Sequence, residues 1–162
     1  MSTLRDQIQG KSPFEIVRLV QNSIFETKCQ PLEEYESYSK RLTRGEQYAI
    51  LCYVFVVEVA NGGLNQYLCN SSGDYANPTS RIFEEIGAHV SAAALADVQR
   101  MIYGNKPIPT SRPERCDTLF AWEEKNEEYA RDFFHRIDRK LGWCEEVDKA
   151  MGRYILSHLD EF

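Results

Sequence analysis

The order of apolar and polar positions along the chain predicts helices. After Ser12-Pro13, a dipeptide suited to a helix start, apolar residues recur every three or four positions. Thr43-Arg44-Gly45-Glu46 has the spacing of a capping box, and its helix is expected to run to Ala60. The interior of this segment is rich in valine, as strands are. Its 17 residues from 44 to 60 are too many for a typical strand of about 5 or 6, so the length indicates a buried helix.

The same pattern places further helices on both sides of this segment. One is expected to begin near Pro31, with Glu33, Glu34 and Glu36 early, where the positive end of a helix favours carboxylates. Later segments predict helices over residues 77–86 and 91–103, followed by a loop over 104–113 that contains three prolines. This loop is the best candidate for a hinge or a contact loop.

Two apolar stripes occupy the last third of the chain. The first is expected on one helix that begins near Asp117 and ends at Gly142. Its members are Leu119, Trp122, Tyr129, Phe133, Ile137 and Leu141. The second comprises Trp143, Val147, Met151, Tyr154, Ile155, Leu159 and Phe162. Together the patterns predict an all-α protein: a single compact domain over residues 1–162 with about seven helices, in which residues 1–11 are flexible or loosely packed.

Residues 58–75 combine amides, glycines and small polar groups directly after the longest apolar run. The notable members are Glu58, Asn61, Gly62, Gly63, Asn65, Gln66, Asn70, Ser71, Ser72, Gly73 and Asp74. One interpretation is structural: this composition is typical of two tight turns, with Glu58 bonded to backbone amides of the Asn-Gly-Gly segment. The other is a ligand-binding or enzymatic site around Glu58, Asn65 and Asp74, with Glu58 as a general acid or base.

This segment resembles the central motif of the DNA-mimic protein family, a bacterial family also known as a domain of unknown function. Its members carry Asn-Gly-Gly, an aromatic-rich helical turn, and then Asn-Ser-Ser-Gly-Asp, here residues 61–63, 66–69 and 70–74. The similarity continues through residues 82–88 and more loosely after Asp117. The chain departs from the family by having Leu64 and Leu68 where aromatic residues are usual.

The resemblance implies an all-helical, dimeric, cytoplasmic protein. A characterised member of the family presents carboxylates in the manner of DNA phosphates to a DNA-binding transcription factor. The expected function is therefore that of a non-enzymatic acidic protein that regulates transcription by binding a basic DNA-binding protein. Acidic surface residues are not part of the quoted motif, so the binding residues must be inferred from charge.

The acidic residues concentrate in the second half of the chain. Residues 1–81 hold nine acids and eight bases, whereas residues 82–162 hold sixteen acids and eleven bases. On the helix predicted after Asp117, five carboxylates lie on or beside the outward face, and they are the expected partner-binding residues. They are Glu123, Glu124, Glu127, Glu128 and Asp132. The alternative interpretation is an ordinary solvated helix face without a binding role, because Lys125, Arg131 and Arg136 accompany these carboxylates.

Composition argues against several other classes of function. The five cysteines are widely spaced without a C-x-x-C pair, which is typical of free thiols rather than a disulfide scaffold or a zinc site. We expect no metal, no cofactor and no membrane span. Direct nucleic-acid binding is disfavoured because the net charge is -6. A structural or interaction domain without catalysis is a further alternative.

Overall fold

The computed structural model describes residues 3–29 and 34–162. Within these residues the chain forms nine α-helices, two 3₁₀ helices and no strand, which confirms the all-α prediction. The α-helices are α1 (Leu4–Ile8), α2 (Pro13–Thr27), α3 (Tyr35–Ser39), α4 (Arg44–Cys69), α5 (Ala76–Ile86), α6 (His89–Ile102), α7 (Arg112–Lys125), α8 (Glu127–Leu141) and α9 (Glu145–Ser157). The 3₁₀ helices cover Ser71–Tyr75 and Leu159–Glu161.

The two helix starts that rest on local polar residues are confirmed. The Ser12 hydroxyl accepts a hydrogen bond from the Glu15 backbone N–H, while the Glu15 side chain accepts one from the Ser12 N–H, and Pro13 occupies the first turn of α2. Thr43 and Glu46 form the same reciprocal pair at the start of α4. Each pair satisfies two backbone donors that a helix start would otherwise leave without partners.

The chain groups into two compact units, one formed by Met1–Tyr53 with Asp148–Phe162 and the other by Val54–Val147. In the first unit the buried core comes from α2, the first part of α4 and most of α9. Gly152 of α9 lies so close to Pro13 that an added Cβ would fall 2.6 Å from the proline Cβ. Met151 and Tyr154 are buried in this unit, whereas Leu156 is exposed.

The second unit is built around a cluster of aromatic rings. Phe55 of α4 packs edge-on against Tyr67 and Phe83, with ring centroids 4.9 Å and 4.8 Å away. Trp122 of α7 packs edge-on against Phe133 of α8 at 5.5 Å. The first contacts pack α4 against α5 and the second packs α7 against α8, so they fix helices that carry the candidate site.

Regular helical backbone in α4 is interrupted just after Ala60, where the sequence predicted the helix to end. Helix α4 continues to Cys69 through a bend at Gly62 and Gly63, whose backbone angles are not helical. Gly63 has φ 74°, a left-handed conformation that favours glycine, and an added Cβ there would collide with the Asp138 carboxylate. The Asn-Gly-Gly segment therefore stops the first helical part of α4, as the sequence predicted, but a second helical part follows directly after the bend, which the sequence did not predict.

The single helix predicted after Asp117 is also wrong. The segment forms two helices, α7 and α8, separated at Asn126, which has φ -130° and ψ 33°. The Asn126 side chain donates a hydrogen bond to the Trp122 carbonyl oxygen at 2.8 Å, a local alternative to the backbone ladder. Leu119 is nevertheless buried on α7, and Phe133, Ile137 and Leu141 are buried on α8.

The N-terminal helices and the start of the second apolar stripe also differ from the sequence prediction or lie outside the described residues. The helix start near Pro31, with Glu33, lies outside the described residues, and α3 begins at Tyr35. The sequence did not predict α1, whose Ile8 is buried. The second stripe includes Trp143 in the prediction, but this side chain precedes α9 and is 75% exposed.

Helix α4 is the one helix in the described part of the chain that is long and apolar enough to cross a membrane. Of the most apolar stretch of this helix, 39% is buried inside the structure. The core helix of a soluble protein has the same length and composition, so this feature does not decide between the two environments. The absence of a membrane span stays a prediction.

Candidate functional site

Glu58 is the centre of a hydrogen-bond cluster formed by the motif. One oxygen of its half-buried carboxylate accepts hydrogen bonds from the side-chain amides of Gln66 and Asn70, each at 2.8 Å. The other oxygen accepts one from the Ser72 hydroxyl at 3.3 Å. The structure thus brings together Glu58, Gln66, Asn70 and Ser72, all named in the motif, but the expectation that Glu58 bonds to backbone amides is wrong. The donors are side chains on the far side of the bend, so the cluster joins α4 to the 3₁₀ helix.

Arg115 is a second centre that the sequence analysis missed. Its side chain is fully buried on α7. The guanidinium donates to the backbone oxygens of Leu68 at 2.6 Å and Asn70 at 2.9 Å, and to an Asp74 carboxylate oxygen at 2.7 Å. It also donates to the backbone oxygens of Pro109 and Thr110, at 2.8 Å and 3.1 Å. A single cation thus connects the end of α4, the 3₁₀ helix and the loop before α7.

Gly73 is required by this arrangement. A Cβ at Gly73 would lie 2.6 Å from both the Arg115 Nε and the Leu68 carbonyl oxygen. Neither group has room to move, because each is bonded to the other at 2.6 Å. The motif glycine therefore allows the 3₁₀ helix to pass close to the guanidinium.

The proline-containing loop is held at a second point. The Asn77 side chain donates to the Ile108 carbonyl oxygen at 2.7 Å and accepts from the Ile108 N–H at 3.0 Å. Ile108 is itself buried. Pro113, placed in the loop by the sequence analysis, lies in the first turn of α7. These contacts fix the loop to α5 and support a structural role for it.

Asn65 has partners different from those of Glu58. Its amide nitrogen donates to a Glu123 carboxylate oxygen at 2.5 Å, and its carbonyl oxygen accepts a weak hydrogen bond from the Cys69 thiol at 3.5 Å. Burial raises the pKa of Glu123, and the hydrogen bond from Asn65 offsets part of that rise. Glu123 therefore belongs to the interior contacts of the second unit as much as to its surface.

Three of the remaining motif residues are exposed, and the helical part that follows the bend is capped by a residue far along the chain. Asn61, Gly62 and Ser71 are exposed. The N–H of Leu64, at the start of the second part of α4, donates to the Asp138 carboxylate of α8 at 2.8 Å. Asp138 acts as the cap that this helix start lacks locally. It lies 74 residues along the chain from Leu64, so no local sequence signal identifies it.

The five predicted partner-binding carboxylates do not lie on one helix. Glu123 and Glu124 are in the last turn of α7, whereas Glu127, Glu128 and Asp132 are on α8. The break at Asn126 removes the regular four-residue spacing between the two groups. Four of the five are exposed: Glu124, Glu127, Glu128 and Asp132.

No group of three or more metal-binding side chains occurs together in residues 3–29 and 34–162. Glu58 and Asp74, paired in the enzymatic hypothesis, bind different partners in the structure. What the arrangement does chemically is to satisfy buried polar groups, and this gives the motif a structural role.

Replacing Arg115 with Met is expected to lower the free energy of unfolding by about 3–5 kcal/mol, because it leaves four backbone oxygens and one carboxylate without their donor. The matched control is Arg112→Met on the same helix. Arg112 is exposed and makes one hydrogen bond, to the Cys69 carbonyl oxygen at 2.7 Å, so its loss should cost about 0.5–1.5 kcal/mol. Urea unfolding followed by circular dichroism measures both. Equal losses for the two variants would contradict the central role of Arg115.

Glu58→Ala is expected to lower the free energy of unfolding by about 1–3 kcal/mol, because three side-chain donors lose their acceptor. Glu84→Ala, an exposed position on α5, is the control and should change stability by less than about 0.5 kcal/mol. If Glu58→Ala left stability unchanged but abolished a binding or catalytic activity, the motif would be a functional site and not a structural one.

Comparison with known proteins agrees with the resemblance noted in the sequence. No curated protein and no solved structure matches the chain. A family model does match, over residues 40–158, and it describes DMP19-like proteins. This range covers well over half of the chain and contains α4 through α9, and with them both hydrogen-bond centres. The chain therefore belongs to the DMP19-like protein family.

Proposed function

We propose that this protein is a non-enzymatic DNA mimic that binds a basic DNA-binding protein, such as a transcription factor. Its exposed carboxylates would occupy the surface that otherwise binds DNA phosphates. The observation that carries the proposal is the group formed by Glu124, Glu127, Glu128 and Asp132, hereafter the acidic patch, all exposed within nine residues. In the described part of the chain, none of these four carboxylates forms an ion pair or a hydrogen bond.

Helix stability alone does not account for the acidic patch. Glu127 and Glu128 occupy the first turn of α8, where the positive end of the helix favours carboxylates. Glu124 occupies the last turn of α7, where the same dipole disfavours a negative charge. Asp132 lies four residues after Glu128, at a spacing where like charges cost the helix about 0.2–0.5 kcal/mol. Glu124 and Asp132 are thus at positions where a negative charge lowers the stability of their own helices.

A cationic partner would relieve these repulsions. It would also be attracted over a distance, because a surface of one charge accelerates association with a partner of the other charge. Duplex DNA carries about one charge per 1.7 Å, so four carboxylates imitate only a short stretch of backbone. A homodimer, which the family resemblance implies, would present two such patches.

Family membership supports the same proposal, because the motif of this chain resembles that of the DNA-mimic proteins. We propose that the protein is a cytoplasmic homodimer that regulates transcription. Met151 and Tyr154 of the second apolar stripe are buried within their own unit. Trp143 of the same stripe is exposed and accessible to a second copy.

The partners of the motif residues favour this proposal over an enzyme. Glu58 is bonded to three side chains, Asn65 to Glu123 and Cys69, and Asp74 to Arg115. A general acid or base must instead reach a proton of the substrate. The motif thus serves to hold the second unit together, whereas the four carboxylates of the acidic patch have no ion pair in the described part of the chain.

The quadruple variant Glu124→Gln, Glu127→Gln, Glu128→Gln and Asp132→Asn tests the proposal. Immobilised protein is used to recover a partner from lysate, which is then purified, and its affinity is measured by titration at several salt concentrations. Parent affinity should fall steeply with salt, duplex DNA should compete, and the variant should bind at least tenfold more weakly at low salt.

The control neutralises four other exposed carboxylates, so that the net charge changes equally. The substitutions are Glu26→Gln, Glu36→Gln, Glu84→Gln and Asp160→Asn. This control should retain most of the parent affinity. If both quadruple variants lost affinity equally, only net charge would matter, and if the patch variant bound as tightly as the parent, the patch would be an ordinary solvated surface.

A further inference from the structure

Two of the five cysteines lie beside the Arg115 centre. Cys69 is the last residue of α4, and Cys116 lies in α7, next to Arg115 in the chain. The Cys116 thiol donates to the Cys69 carbonyl oxygen at 3.6 Å, and the nearby Cys116 thiol contributes to raising the pKa of Cys69. Both side chains are partly exposed, so a small reagent can reach them.

We propose that Cys69 and Cys116 form a reversible intramolecular disulfide, a redox modification site, when the protein meets a low-molecular-weight disulfide such as glutathione disulfide. The Cys116 sulfur already lies within hydrogen-bonding distance of the Cys69 backbone, so the S–S bond of about 2.05 Å requires a short approach of the two side chains. Cys52 and Cys144 are buried, which keeps the reagent from them. The proposal does not depend on the proposed function.

The reaction is two successive thiol–disulfide exchanges. The thiolate of one cysteine attacks glutathione disulfide, forms a mixed disulfide and releases one glutathione. The second protein thiolate then attacks the protein sulfur of that mixed disulfide, forms the Cys69–Cys116 bond and releases the second glutathione. The two cysteines are oxidised, the glutathione disulfide is reduced, and the two protons end on the two glutathione thiols.

The surroundings of the pair indicate a slow response. Burial raises the pKa of the Cys69 thiol, Cys116 and Glu123 raise it further, and Arg115 acts in the opposite direction. A protonated thiol is a poor nucleophile. The pair therefore stays reduced during brief exposure and oxidises only when the disulfide reagent persists.

The disulfide would constrain the same elements that the Arg115 hydrogen bonds already join. It would close a loop over residues 69–116, which contains the 3₁₀ helix, α5, α6 and the proline-containing loop. Closing a long loop restricts the unfolded chain and so stabilises the folded one. No rearrangement of the Arg115 hydrogen bonds is required, because Cys69 and Cys116 flank the elements that these bonds already join.

The test is peptide mapping of the native protein after prolonged incubation with glutathione disulfide and alkylation of the remaining thiols. The expected result is a crosslinked peptide pair containing Cys69 and Cys116, reversed by dithiothreitol, and a melting temperature raised by roughly 5 °C or more. Cys29→Ser should form the same crosslink, whereas Cys116→Ser should leave Cys69 as a free thiol or a mixed disulfide.

Mapping of the parent protein decides the matter even if Cys116→Ser fails to fold. The proposal is overturned if Cys69 and Cys116 remain fully alkylatable while the protein stays folded. It is equally overturned if either cysteine pairs with Cys29, Cys52 or Cys144 instead, or if the crosslink joins two chains.

Discussion

The second unit depends on one buried guanidinium. Arg115 has no exposed surface, yet its charge is balanced by Asp74 and by four backbone oxygens. A buried cation is stable only when it is paired and hydrogen-bonded in this way. The elements that supply these oxygens are therefore held in one arrangement. Because α7 carries Arg115 near one end and Glu124 near the other, the same interaction positions part of the acidic patch.

The Glu58 cluster complements this centre with the opposite charge. Glu58 draws the amides of Gln66 and Asn70 towards it from beyond the bend, while Arg115 holds the Asn70 carbonyl oxygen. Asn70 is thus bonded to an anion through its side chain and to a cation through its backbone. The polar residues of the family motif are explained by their bonds to Glu58 and to Arg115. Gly63 and Gly73 lie where the Cβ of another residue would collide with a charged side chain. A motif explained in this way supports the proposal that recognition belongs to the exposed carboxylates.

The sequence predicted those parts of the structure that arise from neighbouring residues. The starts of α2 and α4 follow from pairs three residues apart, and the choice of Glu58 followed from a carboxyl group among amides. Arg115 and Asp138 could not be found in this way, because the Leu68 carbonyl oxygen bound by Arg115 and the Leu64 N–H bound by Asp138 lie 47 and 74 residues away. The apolar pattern did not indicate the break at Asn126, because the apolar stripe continues across that residue. An asparagine within a helical pattern was the available signal, since its side chain competes for backbone groups.

The central claim is that the motif is structural and that recognition belongs to the acidic patch. Amide hydrogen exchange, measured for the free protein and for its complex with a purified basic partner, tests this division directly. The account predicts that binding slows exchange in residues 123–132 and leaves residues 58–74 unchanged. Slower exchange confined to residues 58–74 would contradict it and would make the Glu58 cluster the binding site.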